Sequence, residues 1–174
     1  MITEPELEHR EPQPYVAIGA RVPIPFATRL PPLWKDSRDW LSGQGLAPSG
    51  PPFIRYLTTD MSKKLDIEVG WPVAAAVSGE GRIVSGVFPA GLYAVLTYTG
   101  TYRGTGLVKA TAALLAWADA HHVAWQKTTS DPVECWDARI EYYLSDPDKE
   151  PDPKKWQTEL AFLTANGRTA PAQP

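Results

Sequence analysis

A short stretch late in the chain places an acidic side chain among aromatic ones. It reads Arg-Ile-Glu-Tyr-Tyr-Leu-Ser-Asp-Pro from Arg139 to Pro147. In a strand, successive side chains point to opposite faces. One face would then hold Ile140, Tyr142 and Leu144 against a core, and the other would hold Arg139, Glu141 and Tyr143.

An ionised glutamate in the middle of a strand needs water, a cationic partner or a ligand to offset its desolvation. Two interpretations of Glu141 follow. Either it pairs with Arg139 on an exposed sheet face, or it is the carboxylate of an aromatic-lined cleft that receives a small cationic or polar molecule.

The chain is rich in rings that could line such a cleft, with seven Trp among 174 residues. The face of an aromatic ring attracts a cation by roughly 0.5 to 2 kcal/mol, depending on desolvation. Trp34, Trp117 and Tyr142 are expected in the core. The rings expected near Glu141, for each of which ordinary packing is the alternative, are Trp71, Tyr98, Tyr102, Trp136 and Tyr143.

Catalysis by these groups would be hydrolytic. Glu141 could act as a general base on water while the Tyr143 hydroxyl stabilises a leaving group. Glu68 is a second candidate acid, with a structural contact as its expected role. The sequence contains no His-x-x-x-His, Cys-x-x-Cys or Gly-x-Ser-x-Gly pattern, and Cys135 has no neighbouring His. No metal site and no cofactor are therefore predicted.

The composition favours a cytoplasmic protein without nucleic-acid partners. The formal net charge is −3, and the basic residues are scattered rather than clustered. A single cysteine excludes an intramolecular disulfide framework. The acidic start does not resemble a signal peptide, and no apolar run is long enough for a membrane span. The expected partner is a small organic ligand, bound by a monomer or a homodimer.

Hydrophobic periodicity predicts an α+β fold. The predicted strands cover residues 15–22, 53–57, 65–73, 82–88, 93–98, 139–144 and 159–163. The predicted helices run from about residue 28 or 30 to 43 and from 107 to 122. Residues 127–131 are expected to form a polar loop, 132–137 have no clear preference, and 166–174 are expected to be a disordered tail.

Two halves of the chain, about 6–75 and 82–164, correspond to each other. Tyr15-Val-Ala-Ile matches Tyr93-Ala-Val-Leu, and residues 53–60 match residues 139–146, which places Tyr56 over Tyr142. Each half reads strand, helix, strand, strand. Such a unit leaves one face of its small sheet uncovered, so two units gain by packing together, and a ligand would sit at their seam.

These motifs resemble the GyrI-like small-molecule-binding family, which includes the effector-binding domains of multidrug-responsive MerR-type and AraC-type regulators. The resemblance is carried by Pro89-Ala-Gly-Leu-Tyr-Ala-Val95, Thr99-Gly-Thr-Tyr102, Glu141-x-Tyr-Leu-x-Asp-Pro147 and Glu68-Val-x-x-Pro-Val73. It implies one domain over residues 1–165, made of two modules related by a pseudo-twofold axis. These would form a curved antiparallel sheet with a ligand cleft at their junction. It also adds Tyr56 to the candidate ligand-binding residues.

Three functions follow from the resemblance. The first is a stand-alone protein that captures aromatic, cationic or polycyclic compounds beside Glu141. The second is a cyclopropanoid cyclohydrolase-type hydrolase that detoxifies DNA-alkylating compounds. The third is inhibition of DNA gyrase. The chain departs from the family pattern at residues 133–138, where extra residues including Trp136 precede the glutamate strand and are expected to alter the mouth of the cleft.

Overall fold

The structure is a computed structural model that describes residues 1–59 and 64–165. The predicted tail, 166–174, and Asp60 of the sequence repeat lie outside the described residues. The strands are β1 (Glu6–Arg10), β2 (Gln13–Pro23), β3 (Phe53–Thr59), β4 (Lys64–Pro72), β5 (Ile83–Phe88), β6 (Gly91–Thr99), β7 (Lys127–Ser130), β8 (Val133–Trp136), β9 (Arg139–Tyr143) and β10 (Gln157–Leu163). The helices are α1 (Leu30–Gly43) and α2 (Gly106–Ala120).

The strand order shows that the two halves are equivalent. One antiparallel sheet runs β1-β6-β10-β9-β3-β4-β2-β5, with β7 and β8 off this path, and exchanging the equivalent strands of the two halves gives the same order read from the opposite edge. Along the chain, each half has two strands, a helix and two final strands, and the second half also has β7 and β8 between its helix and its final strands. The first strand of each half is exchanged, because β1 pairs with β6 and β5 pairs with β2. The α+β fold of two related modules in a curved antiparallel sheet is confirmed.

The register of the predicted repeat is wrong by one residue. Equivalent residues of two related modules must lie on the same face of the sheet. Tyr56 and Tyr143 share a hydrophobic cluster on one face, whereas Tyr142 packs against the cluster on the other. Tyr143 is therefore the ring of β9 that matches the face of Tyr56.

Both helices cover the same face of the sheet. Leu30, Ser37 and Leu41 of α1 are buried, as its predicted apolar face requires, and its first turn contains two prolines, whose missing amide hydrogens leave no donor unsatisfied there. On α2 the buried residues are Ala110, Leu114 and Ala118. The clusters under the helices combine these side chains with strand residues.

The other face encloses an aromatic core without a helix from the described residues. Tyr15 stacks on Phe88 with ring centroids 4.3 Å apart, and Phe53 meets both rings edge-on. All three are buried. The sheet therefore curves around this core. The prediction that Leu144 packs against it is wrong, because Leu144 follows the last residue of β9 and is 42% exposed.

Two stretches that the sequence analysis did not predict as strands are paired. The acidic leader contains β1, and the expected polar loop 127–131 and the stretch after it form the β7–β8 hairpin. Strand β8 also pairs with β3, where Thr58 lies opposite Cys135 and Thr59 opposite Glu134. The hairpin therefore extends the sheet beside the end of β9.

Candidate functional site

Glu141 lies where the two modules join. Strand β9 pairs with β3 of the first half and β10 of the second, and Glu141 is opposite Ile54 on one side and Leu160 on the other. Its side chain points to the face that the helices cover and is 7% exposed. The carboxylate is thus held in the middle of the sheet, away from bulk water.

Two tyrosines surround the carboxylate. Tyr143 Oη donates a hydrogen bond to Glu141 Oε2 at 2.8 Å. The Tyr56 hydroxyl also lowers the pKa of Glu141 by favouring the ionised carboxylate. Burial raises the pKa of Glu141 above its usual range, against the opposing effects of Tyr143, Arg139 and Tyr56. Burial also raises the pKa of Tyr143 and Tyr56 well above 10, so both phenols stay protonated and available as donors at neutral pH.

Further rings surround Tyr143. The Trp34 ring of α1 meets it edge-on with centroids 5.0 Å apart, and the Tyr102 ring meets it perpendicularly at 5.1 Å. Trp156 lies 4.6 Å from Tyr102. These three outer rings are half-buried, whereas Glu141 and Tyr143 are buried. We name as the acid–aromatic cluster the set Trp34, Tyr56, Tyr102, Glu141, Tyr143 and Trp156.

Arg139 shares the face of Glu141 but does not pair with it. Its guanidinium lies over the rings of Tyr56, Trp136 and Phe162, at 5.4, 4.9 and 4.9 Å from their centroids. The interpretation that Glu141 pairs with Arg139 on an exposed face is wrong, because Glu141 is buried and no nitrogen of Arg139 lies within 4.0 Å of a described acidic oxygen. Desolvation lowers the pKa of Arg139 from its ordinary value.

The remaining sequence candidates lie in other parts of the same face. Trp71 packs against the cluster containing Val16 and Leu41, and its Nε1 donates to the Trp34 carbonyl at 2.9 Å. Tyr98 packs among residues of β6 and α2, where a Cβ on Gly106 would come within 2.0 Å of its hydroxyl. Trp136 belongs to that cluster too, and Arg139 connects it to Tyr56.

The part of the chain that the structure describes contains no metal-binding cluster of side chains and no membrane-spanning helix. Within residues 1–59 and 64–165, no group of three or more His, Cys, Asp or Glu side chains could hold a metal ion. No helix there is long and apolar enough to cross a membrane.

A family model for the GyrI-like small molecule binding domain matches residues 3–163. The chain belongs to this family. No curated protein matches it in sequence.

The GyrI-like domain also superposes on solved structures at low sequence identity. The EcmrR C-terminal domain is 19% identical with a TM-score of 0.66, over 92% of this chain and 96% of that one. EcmrR in its DNA complex has a TM-score of 0.74 at the same identity, and this chain spans 57% of its length. SAV2435 bound to tetraphenylphosphonium is 10% identical with a TM-score of 0.58, over 93% and 94% of the two chains.

A hydrolase from Listeria innocua is 14% identical to this GyrI-like domain with a TM-score of 0.59, over 93% of this chain and 92% of that one. At these identities the likenesses establish the fold, to which the site geometry adds the chemistry. The buried carboxylate can accept hydrogen bonds or attract a positive charge, and the half-buried rings offer faces for stacking.

Sequence reasoning did not place Trp34 beside Tyr143 or Trp156 beside Tyr102. The helical spacing of Trp34 indicates only that it faces the sheet, and Trp156 follows a short turn in an irregular, proline-rich segment. Its Nε1 donates to the Glu150 carbonyl at 2.8 Å, which fixes the ring beside Tyr102. No periodic pattern could have predicted that contact.

Proposed function

We propose that this GyrI-like domain captures small aromatic molecules that carry a cationic group, and that it does so in the acid–aromatic cluster. The observation that carries the proposal is the Glu141 carboxylate. It is buried at the junction of the modules. Among the described residues, Tyr143 donates a hydrogen bond to it at 2.8 Å.

Burial of this carboxylate costs folding free energy. Desolvation is the largest influence on its pKa and raises it, so the site holds an ionised Glu141 less favourably than water does. A cationic ligand placed beside the carboxylate would offset that cost. Relief of this desolvation cost would then contribute to the binding free energy of the ligand.

The outer rings of the cluster supply the apolar contacts. Trp34 and Tyr102 approach Tyr143 from different elements, one from α1 and the other from the segment between β6 and α2. Burial raises the pKa of Tyr102 to about 12, so its hydroxyl stays neutral, and it donates to the Ser145 carbonyl at 3.3 Å. Aromatic faces and a carboxylate together suit a planar or delocalised cation.

Calorimetric titration with tetraphenylphosphonium tests the proposal. This probe joins four rings to one positive charge, and it is the molecule bound in the solved structure of SAV2435. We expect Glu141→Gln, which keeps the shape and removes the charge, to weaken binding by about tenfold or more. Glu80→Gln, which removes a surface charge, should bind as the wild type does. Equal affinity of wild type and Glu141→Gln would refute the proposal.

Hydrolysis of a strained ring is a second candidate, favoured by the 2.8 Å hydrogen bond between Tyr143 and Glu141 and by the raised pKa of Glu141. Glu141 would take a proton from water as the water oxygen bonds to a cyclopropane carbon. The ring C–C bond would break, its electron pair would pass into the conjugated carbonyl of the substrate, and Tyr143 would protonate that oxygen and regain a proton from Glu141 through their hydrogen bond. The net reaction adds one water molecule.

Incubation with a cyclopropane-bearing alkylator separates the two candidates. Repeated turnover that disappears in Glu141→Gln while the compound still binds favours the hydrolase, whereas stoichiometric binding without product favours capture alone. Inhibition of DNA gyrase stays a prediction, which a supercoiling assay with added protein tests.

A further inference from the structure

Arg139 holds a positive charge next to the acid–aromatic cluster. It lies two residues before Glu141 on the same face of β9, and its guanidinium covers the ring of Tyr56, whose hydroxyl faces Glu141. The two charges influence each other, since Glu141 is among the groups that favour the charged form of Arg139. The site therefore contains a cation of its own.

The β7–β8 hairpin fixes this cation. Its Trp136 ring and the Phe162 ring of β10 both lie 4.9 Å from the guanidinium carbon. Trp136 is itself held, because its Nε1 donates to Thr59 Oγ1 at 3.3 Å. Residues 133–138, which the sequence analysis predicts to depart from the family pattern, thus position Arg139 as well as extend the sheet.

No described acidic side chain neutralises Arg139 directly. Glu134 is the other carboxylate that influences it, and that carboxylate is engaged by Lys127 and by Thr59 Oγ1. Arg139 Nε is buried and has no hydrogen-bond partner among the described residues. The guanidinium therefore keeps capacity for an anionic or polar partner.

We propose that Arg139 determines specificity: it makes the site select aromatic ligands that carry an anionic group together with the cationic one, and discriminate against ligands that carry only a positive charge. The inference rests on the proposed function and narrows its ligand class. A monocation near Glu141 is attracted by one charge and repelled by the other. A zwitterion can place its carboxylate towards Arg139 and its cation towards Glu141.

Two phosphonium compounds of equal size test the inference. Pentyltriphenylphosphonium is a monocation, and carboxybutyltriphenylphosphonium is a zwitterion at neutral pH with the same rings and the same number of chain carbons. Calorimetric titration of each gives the ratio of their dissociation constants. We expect wild type to bind the zwitterion more tightly, and Arg139→Met to shift the ratio towards the monocation by about tenfold.

Two controls separate charge from packing. Arg139→Lys keeps the positive charge and should keep the preference for the zwitterion, even where both affinities fall because the planar stacking is lost. Arg82→Met removes an arginine from the surface, where it pairs with Asp36, and should leave the ratio unchanged. Thermal unfolding establishes that each variant is folded before titration.

The outcomes distinguish the inference from the proposed function. An unchanged ratio in folded Arg139→Met, or a wild type that prefers the monocation, overturns the role of Arg139 while leaving capture at Glu141 intact. Failure of wild type and all variants to bind either compound overturns both. A shift towards the monocation in Arg139→Met that Arg139→Lys does not reproduce supports the inference.

Discussion

Two groups of arginine, tyrosine and glutamate lie on opposite faces of the same sheet, and they are connected differently. On the face without helices, Arg55 Nη1 donates to Tyr15 Oη at 2.5 Å, Tyr15 Oη donates to Glu68 Oε2 at 2.5 Å, and Arg55 reaches Glu68 at 3.3 Å. On the helix-covered face, Tyr143 reaches Glu141, but Arg139 lies over rings instead of pairing with the carboxylate.

The difference separates a structural network from a candidate binding site. In the first group every charge has a partner, and Arg55 Nη2 also donates to the Asp137 carbonyl at 2.8 Å. In the second group the opposite charges are close enough to influence each other but are not in contact. Two buried charges that are not in contact lower the stability of the fold, and a ligand with matching charges can pair with both.

The largest expected effect comes from breaking the network of Arg55, Tyr15 and Glu68. Arg55→Met removes the cation from Glu68 and the donors to Tyr15 Oη and the Asp137 carbonyl, although Tyr15 keeps its own hydrogen bond to Glu68. We expect the free energy of unfolding to fall by about 3 kcal/mol, as for other buried pairs that lose one member. Urea denaturation measures it. Arg21→Met, which breaks the exposed pair with Asp66, should leave stability unchanged, and an equal loss in both variants would contradict the contrast.

Glu141→Gln should have the opposite sign. The pKa of Glu141 is raised from the ordinary value of 4.5 in the folded state, so the folded protein binds more protons than the unfolded chain as the pH rises above 4.5, and stability falls through this range. The amide carries no such cost. We expect the variant to melt about 3 °C above wild type at neutral pH, with the difference shrinking towards about pH 4. A difference in melting temperature that grows as the pH falls would contradict a raised pKa of Glu141.

Tyr143→Phe tests the one hydrogen bond that the Glu141 carboxylate accepts from this tyrosine. The variant keeps the ring and loses the donor, so the pKa of Glu141 should rise further and unfolding free energy should fall by about 1 kcal/mol. Tetraphenylphosphonium binding should then need a higher pH than in wild type. Tyr15→Phe, the matched change on the other face, should leave the pH profile of binding where it is.

The smallest effects should distinguish the rings. Tyr102→Leu removes a ring in contact with Tyr143 and should weaken tetraphenylphosphonium binding about fivefold. Trp71→Leu removes a ring that packs against Arg38 at 5.2 Å, outside the acid–aromatic cluster, and should change affinity less than about twofold. Calorimetric titration compares them. A larger loss of affinity in Trp71→Leu than in Tyr102→Leu would indicate that the ligand binds nearer to α1 and β4.

Several elements were predictable because their own side chains carry the signal. The buried face of α1 and the alternation of β9 through Ile140 and Glu141 follow from periods that a helix or strand imposes on any chain. Strand β1 has no such signal. Four of its five residues are exposed, and it is a strand because the edge of β6 offers hydrogen bonds to it.

The repeat shows how a correct pattern can yield a wrong contact. Matching residues 53–60 with 139–146 identified the equivalent strands. A shift of one residue exchanges the two faces of a strand. The match therefore aligned Tyr56 with Tyr142, although Tyr56 lies on the same face as Tyr143. Sequence similarity between short segments does not fix the register to a single residue. Burial against a common core does.

The sequence by itself determined that this protein is an α+β domain of two related modules, that it belongs to the family whose motifs it carries, and that an acid sits in a strand among aromatic residues. These properties are local, and they repeat along the chain. Only the tertiary structure decided that Glu141 is buried, that Trp34 packs on Tyr143 and Trp156 on Tyr102, and that Arg139 lies among rings instead of on the carboxylate. Those contacts join segments far apart in the chain, and which side chains meet there depends on strand register and sheet curvature, which no single segment encodes.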